Sequence, residues 1–246
     1  MTNITLSRRL AAAAQFARQG SFIADVGTDH AYLPIFLCQN GISRGAVASD
    51  VNLGPMKRAE SHVAAYSLEN KIAVCLCDGL DGLEKYSPED IFMLGMGGEL
   101  IVSLLSRAPW LKNKKTRLIL QPMTHPEVVR NHLISNGFAI IDEILVLDDK
   151  TYQIICAEYL EEQTGAAGDY PTGYSSATDI ELMFGKINLH RGGELLHRYL
   201  THWEDILEVR RRGKLCGSAD ADVSEEDLLL DQIRKKLNEI RNSNLK

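Results

Sequence analysis

The sequence predicts an α/β fold: a doubly wound sheet, parallel with an antiparallel last strand, followed by a C-terminal antiparallel helical hairpin. Five short apolar segments alternate with helix-like segments, as parallel strands joined by crossover helices do. Two longer strand-like segments come next, separated by a tight polar turn that suits an antiparallel pair. Residues 188–246 then contain two amphipathic segments of similar length joined by a polar turn, which is typical of a helical hairpin.

Composition and charge are those of an ordinary globular protein. The 246 residues are 45% hydrophobic and 24% charged, which suits one large domain or a medium α/β domain with an appendage. Without a bilayer-length apolar run or a secretory signal pattern, we expect a cytoplasmic protein with no membrane association. The formal net charge of -6 neither supports nor excludes nucleic-acid binding, because local patches matter more than the total.

The cysteines predict neither disulfides nor a metal site. Their number is odd, and the spacing of Cys75 and Cys77 fits neither a zinc knuckle nor a redox pair. We therefore predict reduced thiols, mostly buried in strands, in a reducing compartment. The five residues are Cys38, Cys75, Cys77, Cys156 and Cys216.

The predicted elements alternate regularly up to residue 160. Short apolar runs bounded by turn residues predict strands at 22–26, 45–49, 72–76, 90–94, 117–120, 140–147 and 152–159. Helical spacing predicts helices at 6–19, 31–39, 54–68 and 127–136, and a further helix that begins at Glu99. Gly20, Gly41 and Gly137 mark helix ends, and Pro55 suits the first turn of a helix.

The composition changes after Leu160. Residues 161–180 are rich in Gly, Ser, Thr and acids, which predicts a loop or a semi-ordered arm. Apolar residues recur at helical spacing over 188–212 and over 229–240, and Ser224 with Asp227 resembles a capping box at the start of the second helix. The predicted organisation is a sheet domain over 1–162, a linker over 163–187 and a helical hairpin over 188–246.

The segment ADVGTDHAYLP (residues 24–34) predicts a strand end, an acid, a single glycine and the first turn of a helix. In an open α/β sheet such a turn lies at the carboxyl edge, where ligands bind. The dinucleotide fingerprint GxGxxG is absent, because Asp29 stands where the second glycine would be. A carboxylate repels a pyrophosphate and attracts an ammonium group, so the segment favours a cationic ligand over NAD.

Acids also follow the second and third strands. Asp50 is in position to accept hydrogen bonds from both hydroxyls of a ribose, and Asp78 to accept one from the exocyclic amine of adenine. The alternative for each acid is an N-cap on the helix that follows, but three acids at successive strand ends favour ligand binding. The residues at these two strand ends are Asp50, Val51, Asn52, Asp78, Gly79 and Leu80.

The fourth strand is followed by GMGG (residues 95–98), which offers bare backbone and one thioether. Such a segment permits the close approach of a flat base or of a cofactor. The alternative is a helix N-terminus whose glycines are required for packing.

Together, these segments resemble the bacterial tRNA adenine-22 N1-methyltransferase family. The likeness covers residues 6 to about 160, and the helical hairpin agrees with the C-terminal coiled-coil domain of that family. It implies a Rossmann-like class I fold, S-adenosylmethionine as cofactor, and methyl transfer to N1 of an adenine in the tRNA core. Met123 and Gln153 depart from the Asn and Glu that are frequent there. The matching segments are Arg9-Leu10, DVGTDHAYLP at 25–34, Asp50 with Gly54-Pro55, Asp78–Leu80, GMGG at 95–98 and Leu120–Pro122.

The resemblance also implies roles for individual residues. Asp29 is expected to face the methionine ammonium group and Arg9 the methionine carboxylate. The cofactor-binding residues are predicted to be Arg9, Asp25, Gly27, Asp29, His30, Asp50, Val51, Asn52, Asp78, Gly79, Leu80, Gly95, Met96 and Gly97. No general base is assigned, because the lone pair on adenine N1 is free to attack without loss of a proton. The catalytic residue is not fixed, and the candidates are Asp29, His30, Met96, Gly97 and Gln121.

Two other functions stay open from the sequence. The first is a small-molecule or protein methyltransferase on the same fold, which the hairpin argues against, since a compact substrate needs no such extension. The second is a non-catalytic nucleotide-binding protein. Arg210–Arg212 and Lys214 suit either a helix C-terminus or RNA contact, whereas the basic residues at 112–117 suit a solvated loop. The oligomeric state also stays open, and a monomer is compatible with the sequence.

Overall fold

The computed structural model describes residues 4–113, 115–160, 177–218 and 220–243. Seven strands in this part of the chain form one sheet in the order β3-β2-β1-β4-β5-β7-β6, with β7 antiparallel to both of its neighbours. This confirms the predicted parallel sheet with an antiparallel last strand. The strands are β1 Phe22–Val26, β2 Gly45–Asp50, β3 Ile72–Leu76, β4 Asp90–Gly97, β5 Arg117–Thr124, β6 Phe138–Leu147 and β7 Thr151–Tyr159.

Five helices accompany the sheet, and the first is shorter than its apolar spacing predicts. The backbone N–H of Arg18 donates to a carboxylate oxygen of Asp90 at 2.7 Å, and its side-chain Nε to the other oxygen at 2.6 Å. Because Asp90 is fully buried and takes these donors, the chain leaves the helix before residue 18. The helices are α1 Arg8–Ala14, α2 Tyr32–Gln39, α3 Leu53–Ala65, α4 Gly98–Ser106 and α5 Pro126–Ser135.

Strands β4 and β5 are longer than the sequence predicts. Residues 95–97, predicted as part of a loop, continue β4, and Gly98 is the first residue of α4. The extension follows from pairing, because Met96 lies opposite Pro122 and Gly97 opposite Thr124 across an irregular register. A proline inside a strand argues against sheet structure from sequence alone, which is why β5 was expected to end at residue 120.

A buried polar cluster joins α5 to β6 and β7. Arg130 is fully buried, and its Nε donates to Glu143 Oε1 at 2.5 Å while its Nη2 donates to Gln153 Oε1 at 2.6 Å. Gln153, which departs from the Glu frequent in the family that the sequence resembles, therefore orients a core arginine. Gln153 thus has a structural role in the core of the sheet domain.

The chain divides into two compact units, residues 1–175 and 176–246. The second contains α6 Asp179–Phe184, α7 Lys186–Arg191, α8 Glu194–Gly217 and α9 Ser224–Ser243. Helices α8 and α9 form the predicted antiparallel hairpin, since Arg211 pairs with Asp227 and Arg234 with Glu204. The first hairpin helix begins later than residue 188 because Gly192 and Gly193 adopt φ values of 68° and 91°. The predicted arm falls largely on residues 161–176, which lie outside the described part of the chain.

The cysteines are all free thiols, but only some match the prediction of buried strand residues. Cys156 is buried in β7, Cys75 is half-buried in β3, and Cys38 is buried on α2 instead of a strand. Cys216 is exposed on α8, so the prediction was wrong for this residue. Within the described ranges, no helix has the length and apolar character needed to cross a membrane.

Candidate active site

The turn after β1 is tied to β2 and covered by Met96. The backbone N–H groups of Gly27 and Thr28 both donate to the carbonyl oxygen of Ser49 at 2.8 Å. Gly27 has a φ of +74°, and a Cβ at this position would lie 2.4 Å from Cε of Met96. The backbone conformation therefore favours glycine, and a side chain here would also displace the end of Met96. The thioether of the GMGG segment lies directly against the β1 turn.

Asp25 is a buried carboxylic acid at this turn, with 8% of its surface exposed. The pKa of Asp25 is raised from 3.8 to about 6, mainly by burial and to a smaller extent by the negative charge of Asp50. A hydrogen bond with Thr28 and the positive charge of Arg9 act in the opposite direction. A cation bound beside Asp25 would favour the ionised form and lower the pKa again.

Arg9 reaches the carboxyl edge of β4 and β5 from α1. Its Nη1 donates to Gln121 Oε1 at 2.7 Å, and its backbone N–H donates to Asp148 at 3.1 Å. The guanidinium carbon lies 5.5 Å from the centre of the Tyr152 ring, a cation–π distance. These contacts hold the Arg9 side chain close enough for its charge to act on Asp25.

Gln121 is completely buried and uses both ends of its amide within the protein. Its Oε1 accepts hydrogen bonds from Arg9 and from the backbone N–H of Gly95 at 3.1 Å, and its Nε2 donates to the carbonyl of Pro122. Nε2 also lies 3.4 Å from the sulfur of Met123. Gln121 therefore positions Arg9 and the end of β4, and its amide has little capacity left for a substrate.

Asp29 is more exposed than Asp25 and is already paired. Its carboxylate forms an ion pair with the Arg58 guanidinium and lies 3.2 Å from Nε2 of His30. The hydrogen bond from Arg58 holds the pKa of Asp29 below its usual range. The His30 ring stacks on Tyr32 at 5.0 Å and on His62 at 5.1 Å between centres.

Sequence reasoning missed Arg58 and His62 as neighbours of this turn. They lie four residues apart on α3 and so on one face of that helix. The spacing was available from the sequence, but the packing of α3 against the β1 turn was not.

Asp50 is not an N-cap of the helix that follows it. Its Oδ1 accepts a hydrogen bond at 2.7 Å from the backbone N–H of Asn52, which is itself the N-cap residue of α3. The other carboxylate oxygen stays available at the strand end. Val51 is 59% exposed, although it is apolar and lies directly after β2.

At the end of β3, Asp78 pairs with Arg107, whose Nη1 lies 3.0 Å from Oδ2. Gly79 has a φ of +61°, and a Cβ there would lie 2.3 Å from Leu104 on α4. Leu80 is buried, with 1% of its surface exposed. Packing on α4 thus explains Gly79, Leu80 belongs to the buried core, and Asp78 supplies the polar side chain at this strand end. Arg107 was another partner that the sequence did not indicate.

The glycines of the GMGG segment have different structural reasons. Gly95 has a φ of +78°, which favours glycine. A Cβ on Gly98 would lie 2.4 Å from the carbonyl oxygen of His125 and 2.6 Å from that of Thr124, so packing requires Gly98. Gly97 has an ordinary φ of -63°, and the nearest atom to a Cβ there would be Thr124 Oγ1 at 3.4 Å. The packing alternative is therefore correct for Gly98, whereas a Cβ on Gly97 would make only one ordinary contact, with Thr124.

Comparison with known proteins identifies the family. Residues 6–155 match a protein family described as a methyltransferase domain. Over 175 residues the chain is 35% identical to the tRNA (adenine(22)-N(1))-methyltransferase of Bacillus subtilis, a region that covers 71% of this chain and 70% of that protein. The chain belongs to the tRNA (adenine(22)-N(1))-methyltransferase family.

Two solved structures of this methyltransferase family have the same fold. The B. subtilis M1A22 tRNA methyltransferase TrmK has a TM-score of 0.78 and 27% identity, over 98% of this chain and 99% of its own. A putative tRNA (m1A22) methyltransferase of Streptococcus pneumoniae, in complex with S-adenosyl-L-methionine, has a TM-score of 0.78 and 29% identity, over 96% and 99%. The family and the fold predicted from the sequence are confirmed.

The site residues of this methyltransferase suit S-adenosylmethionine. The buried Asp25 carboxylate calls for a cation, and the exposed Val51 offers apolar surface to a flat ring. Among the described residues, Ser49 Oγ and His30 Nδ1 are buried at the β1 and β2 strand ends without a hydrogen-bond partner. Orphaned polar atoms of this kind are usually satisfied by water or by a ligand. In the same part of the chain, no group of three or more His, Cys, Asp or Glu side chains is arranged to hold a metal ion.

Proposed function

We infer that this protein transfers a methyl group from S-adenosylmethionine to N1 of adenine 22 in tRNA. The observation that supports this most directly is the 35% identity to the B. subtilis tRNA (adenine(22)-N(1))-methyltransferase. The strand ends agree with it, because Asp25, Asp50 and Arg9 supply the charges that a zwitterionic nucleoside cofactor requires. The Rossmann-like sheet is the catalytic domain, and the cytoplasm, where tRNA is modified, is its proposed location.

We assign the methionine end of the cofactor to Asp25 and Arg9. Asp25 would face the ammonium group and Arg9, oriented by Gln121, the carboxylate. The sequence favoured Asp29 for the ammonium group, but the Arg58 guanidinium already neutralises that carboxylate. Asp29 and His30 would instead hold the wall of this pocket, while Gly27, Gly95, Met96 and Gly97 supply its backbone and thioether surface.

The nucleoside end would lie along β2 and β3. The free oxygen of Asp50 accepts the ribose hydroxyls, and Val51 packs its exposed side chain against the adenine ring. The remaining polar surface comes from Asn52 and Asp78. Asp78 would accept a hydrogen bond from the exocyclic amine of the cofactor's adenine while still paired with Arg107. Gly79 and Leu80 would contribute through their backbone, because Gly79 has no side chain and the Leu80 side chain is buried.

The chemistry demands alignment more than proton transfer. When bound, S-adenosylmethionine supplies an electrophilic methyl group on a sulfonium. Adenine N1 has an in-plane lone pair, so the protein's task is to hold the base in line, an effect worth up to roughly 7–11 kcal/mol in favourable cases. Gly97 and Met96 would frame the base, which must be unstacked from the folded tRNA to reach them.

The helical unit would serve tRNA binding. Its hairpin, which we propose to be the coiled-coil part of the protein, lacks an obvious role in methylating a compact substrate. The basic residues that end α8 are partly committed, since Arg211 pairs with Asp227 and Lys214 with Glu226. We propose a monomer that contacts tRNA through the remaining basic surface of this unit.

Incubation with unmodified tRNA and methyl-labelled S-adenosylmethionine, followed by nucleoside mass spectrometry, tests the assignment. We expect 1-methyladenosine at position 22 and none in a tRNA with another base there. Methylation of a free nucleoside, a metabolite or a protein would favour the small-molecule or protein alternative. Calorimetric titration with S-adenosylmethionine, NAD and ATP separates the enzymes from a non-catalytic nucleotide-binding protein, which would prefer one of the last two.

A further inference from the structure

A histidine–glutamate pair follows β5 at the same edge of the sheet. His125 Nδ1 lies 3.0 Å from Glu127 Oε1, and half of the His125 side chain is exposed. The other carboxylate oxygen, Oε2, is buried without a partner among the described residues. None of the cofactor contacts assigned above uses this pair.

The pair lies next to the segment that we expect to meet the target base. Thr124 pairs with Gly97 across the sheet, and the His125 carbonyl oxygen would lie 2.4 Å from a Cβ on Gly98. His125 thus follows the strand that flanks the end of β4. Pro122 and Met123, which precede it in β5, bring no strong hydrogen-bonding side chain to this edge.

The backbone of His125 is strained for the residue it bears. Its φ is +53°, in the left-handed region, and it stands at the N-cap of α5 without a capping hydrogen bond from its side chain. Non-glycine residues in this region are uncommon and concentrate at functional sites. The imidazole is therefore directed by Glu127 and serves neither the helix end nor the core.

Glu127 decides which nitrogen of His125 is free. An ionised carboxylate only accepts hydrogen bonds, so Nδ1 of the neutral ring donates to it and Nε2 keeps an acceptor lone pair. Adenine bears an amino group at C6, directly beside N1. As the methyl group is transferred to N1, positive charge spreads to this amino group and makes it a stronger donor. A hydrogen bond from N6 to Nε2 would therefore strengthen in the transition state.

We propose that His125 is a catalytic residue that accepts a hydrogen bond from the N6 amino group of the target adenine, and that Glu127 is its positioning residue. The proposal rests on the proposed function. It assigns adenine specificity to this pair, because guanine presents a carbonyl oxygen at the same position, and an acceptor facing an acceptor is unfavourable.

The test compares His125→Gln with His125→Leu in the full chain. Both side chains are unbranched at Cβ and tolerate the positive φ equally, so melting temperatures should match. Gln retains an acceptor oxygen near the position of Nε2, and Leu does not. At saturating cofactor we expect Leu to lower kcat for tRNA by about 100-fold or more, the loss typical of one transition-state hydrogen bond, and Gln by about tenfold or less. KM for tRNA and the cofactor Kd should change by about twofold at most, since the bond forms mainly in the transition state.

Two further variants separate the roles. Glu127→Gln should lower kcat less than His125→Leu does. His132→Gln, the same kind of change near the other end of α5, should leave kcat unchanged.

The deciding arm uses tRNA with purine riboside at position 22, which has N1 but no N6 amino group. On this substrate wild type and His125→Leu should differ by about twofold or less, because the bond in question is absent from both. Equal turnover of wild type and His125→Leu on normal tRNA would overturn the role of His125 alone. The role of His125 would also be overturned if the ratio of wild-type to His125→Leu kcat were the same on the purine substrate as on normal tRNA. Absence of 1-methyladenosine with the wild type would instead overturn the proposed function and this inference together.

Discussion

At the scale of single residues, Asp25 makes cofactor binding depend on pH. Its pKa is about 6 in the free protein, and an ammonium group binds the ionised form. The Kd for S-adenosylmethionine should therefore rise as pH falls through about 6, by about tenfold per unit below it. Calorimetry between about pH 5 and 8 measures this slope. Asp25→Asn should bind weakly and without the slope, and a wild-type Kd that is flat across this range would contradict the assignment of the ammonium group to Asp25.

The same carboxylate has the opposite effect on the cofactor-free fold. A folded-state pKa of about 6 against an ordinary 3.8 means that the native state holds the proton more tightly than the unfolded chain. Stability therefore falls as pH rises through this window, by about 3 kcal/mol for two pKa units. Unfolding curves of wild type and Asp25→Asn should converge below about pH 4 and separate above it.

Substitution of Gly97 distinguishes whether this residue contacts the target base or the cofactor. Since its φ is -63° and a Cβ would meet only Thr124 Oγ1 at 3.4 Å, Gly97→Val should fold. We expect turnover on tRNA to collapse while the cofactor Kd changes by less than about tenfold, or roughly 1.4 kcal/mol.

The matched control is Gly98→Ala, whose added methyl group meets the backbone of Thr124 and His125 and should lower the melting temperature. Normal turnover of Gly97→Val would contradict the proposal that the end of β4 contacts the base. Loss of both cofactor binding and turnover would indicate that this strand end contacts the cofactor instead.

At the scale of elements, the buried Arg130 cluster fixes α5 against β6 and β7. Glu143→Ala removes a carboxylate from a fully buried arginine, which should cost about 3–5 kcal/mol of unfolding free energy. Arg130→Met combined with Glu143→Leu should recover most of this loss, because no charge then stays buried. Asp81→Ala, which breaks an exposed contact with Arg107 at 3.5 Å, should cost about 1 kcal/mol or less. A Glu143→Ala variant as stable as wild type would show that the Arg130 cluster does not stabilise the packing of α5 against β6 and β7.

Element positions could be predicted from sequence wherever local pattern and tertiary structure agree. Strands β1 to β3 follow their apolar runs within a residue at each end. The prediction failed where a distant group decided the outcome. Asp90 takes the donors of Arg18 and ends α1 early, and pairing with β4 draws Pro122 into a strand. The identity of such partners depends on contacts between residues far apart in sequence, which no local spacing encodes.

The candidate site divides in the same way. Acids that end strands were recognisable, because every parallel strand ends at the same sheet edge. Their partners were not, since Arg58 reaches Asp29 from α3 and Arg107 reaches Asp78 from the end of α4, and the sequence does not give the orientation of these helices. These partners alter roles as well as geometry. Arg58 neutralises Asp29, so the buried Asp25 becomes the better match for an ammonium group.

At the scale of the whole molecule, the compact units rather than the sequence pattern indicate where to divide the chain. The sequence places the hairpin from residue 188, whereas the second unit begins at 176. Helix α6 belongs with the hairpin, since the Ile180 N–H donates to Gln232 on α9 at 3.0 Å. The buried Phe184 ring, moreover, meets Tyr199 at 5.7 Å and Trp203 at 6.1 Å between centres. A division at 188 would strip Phe184 of both partners.

Two truncations test this division and the role of the helical unit together. Residues 1–175 retain the whole sheet and its carboxyl edge, so we expect them to fold and bind S-adenosylmethionine with a Kd within about threefold of the full chain. Residues 1–187 should bind equally but self-associate, because they expose Phe184. Light scattering and calorimetry distinguish these outcomes. Both truncations should methylate tRNA poorly, since the proposed RNA surface is gone. Full activity of residues 1–175 on tRNA would limit the helical unit to a structural role and assign recognition of the substrate to the sheet unit alone.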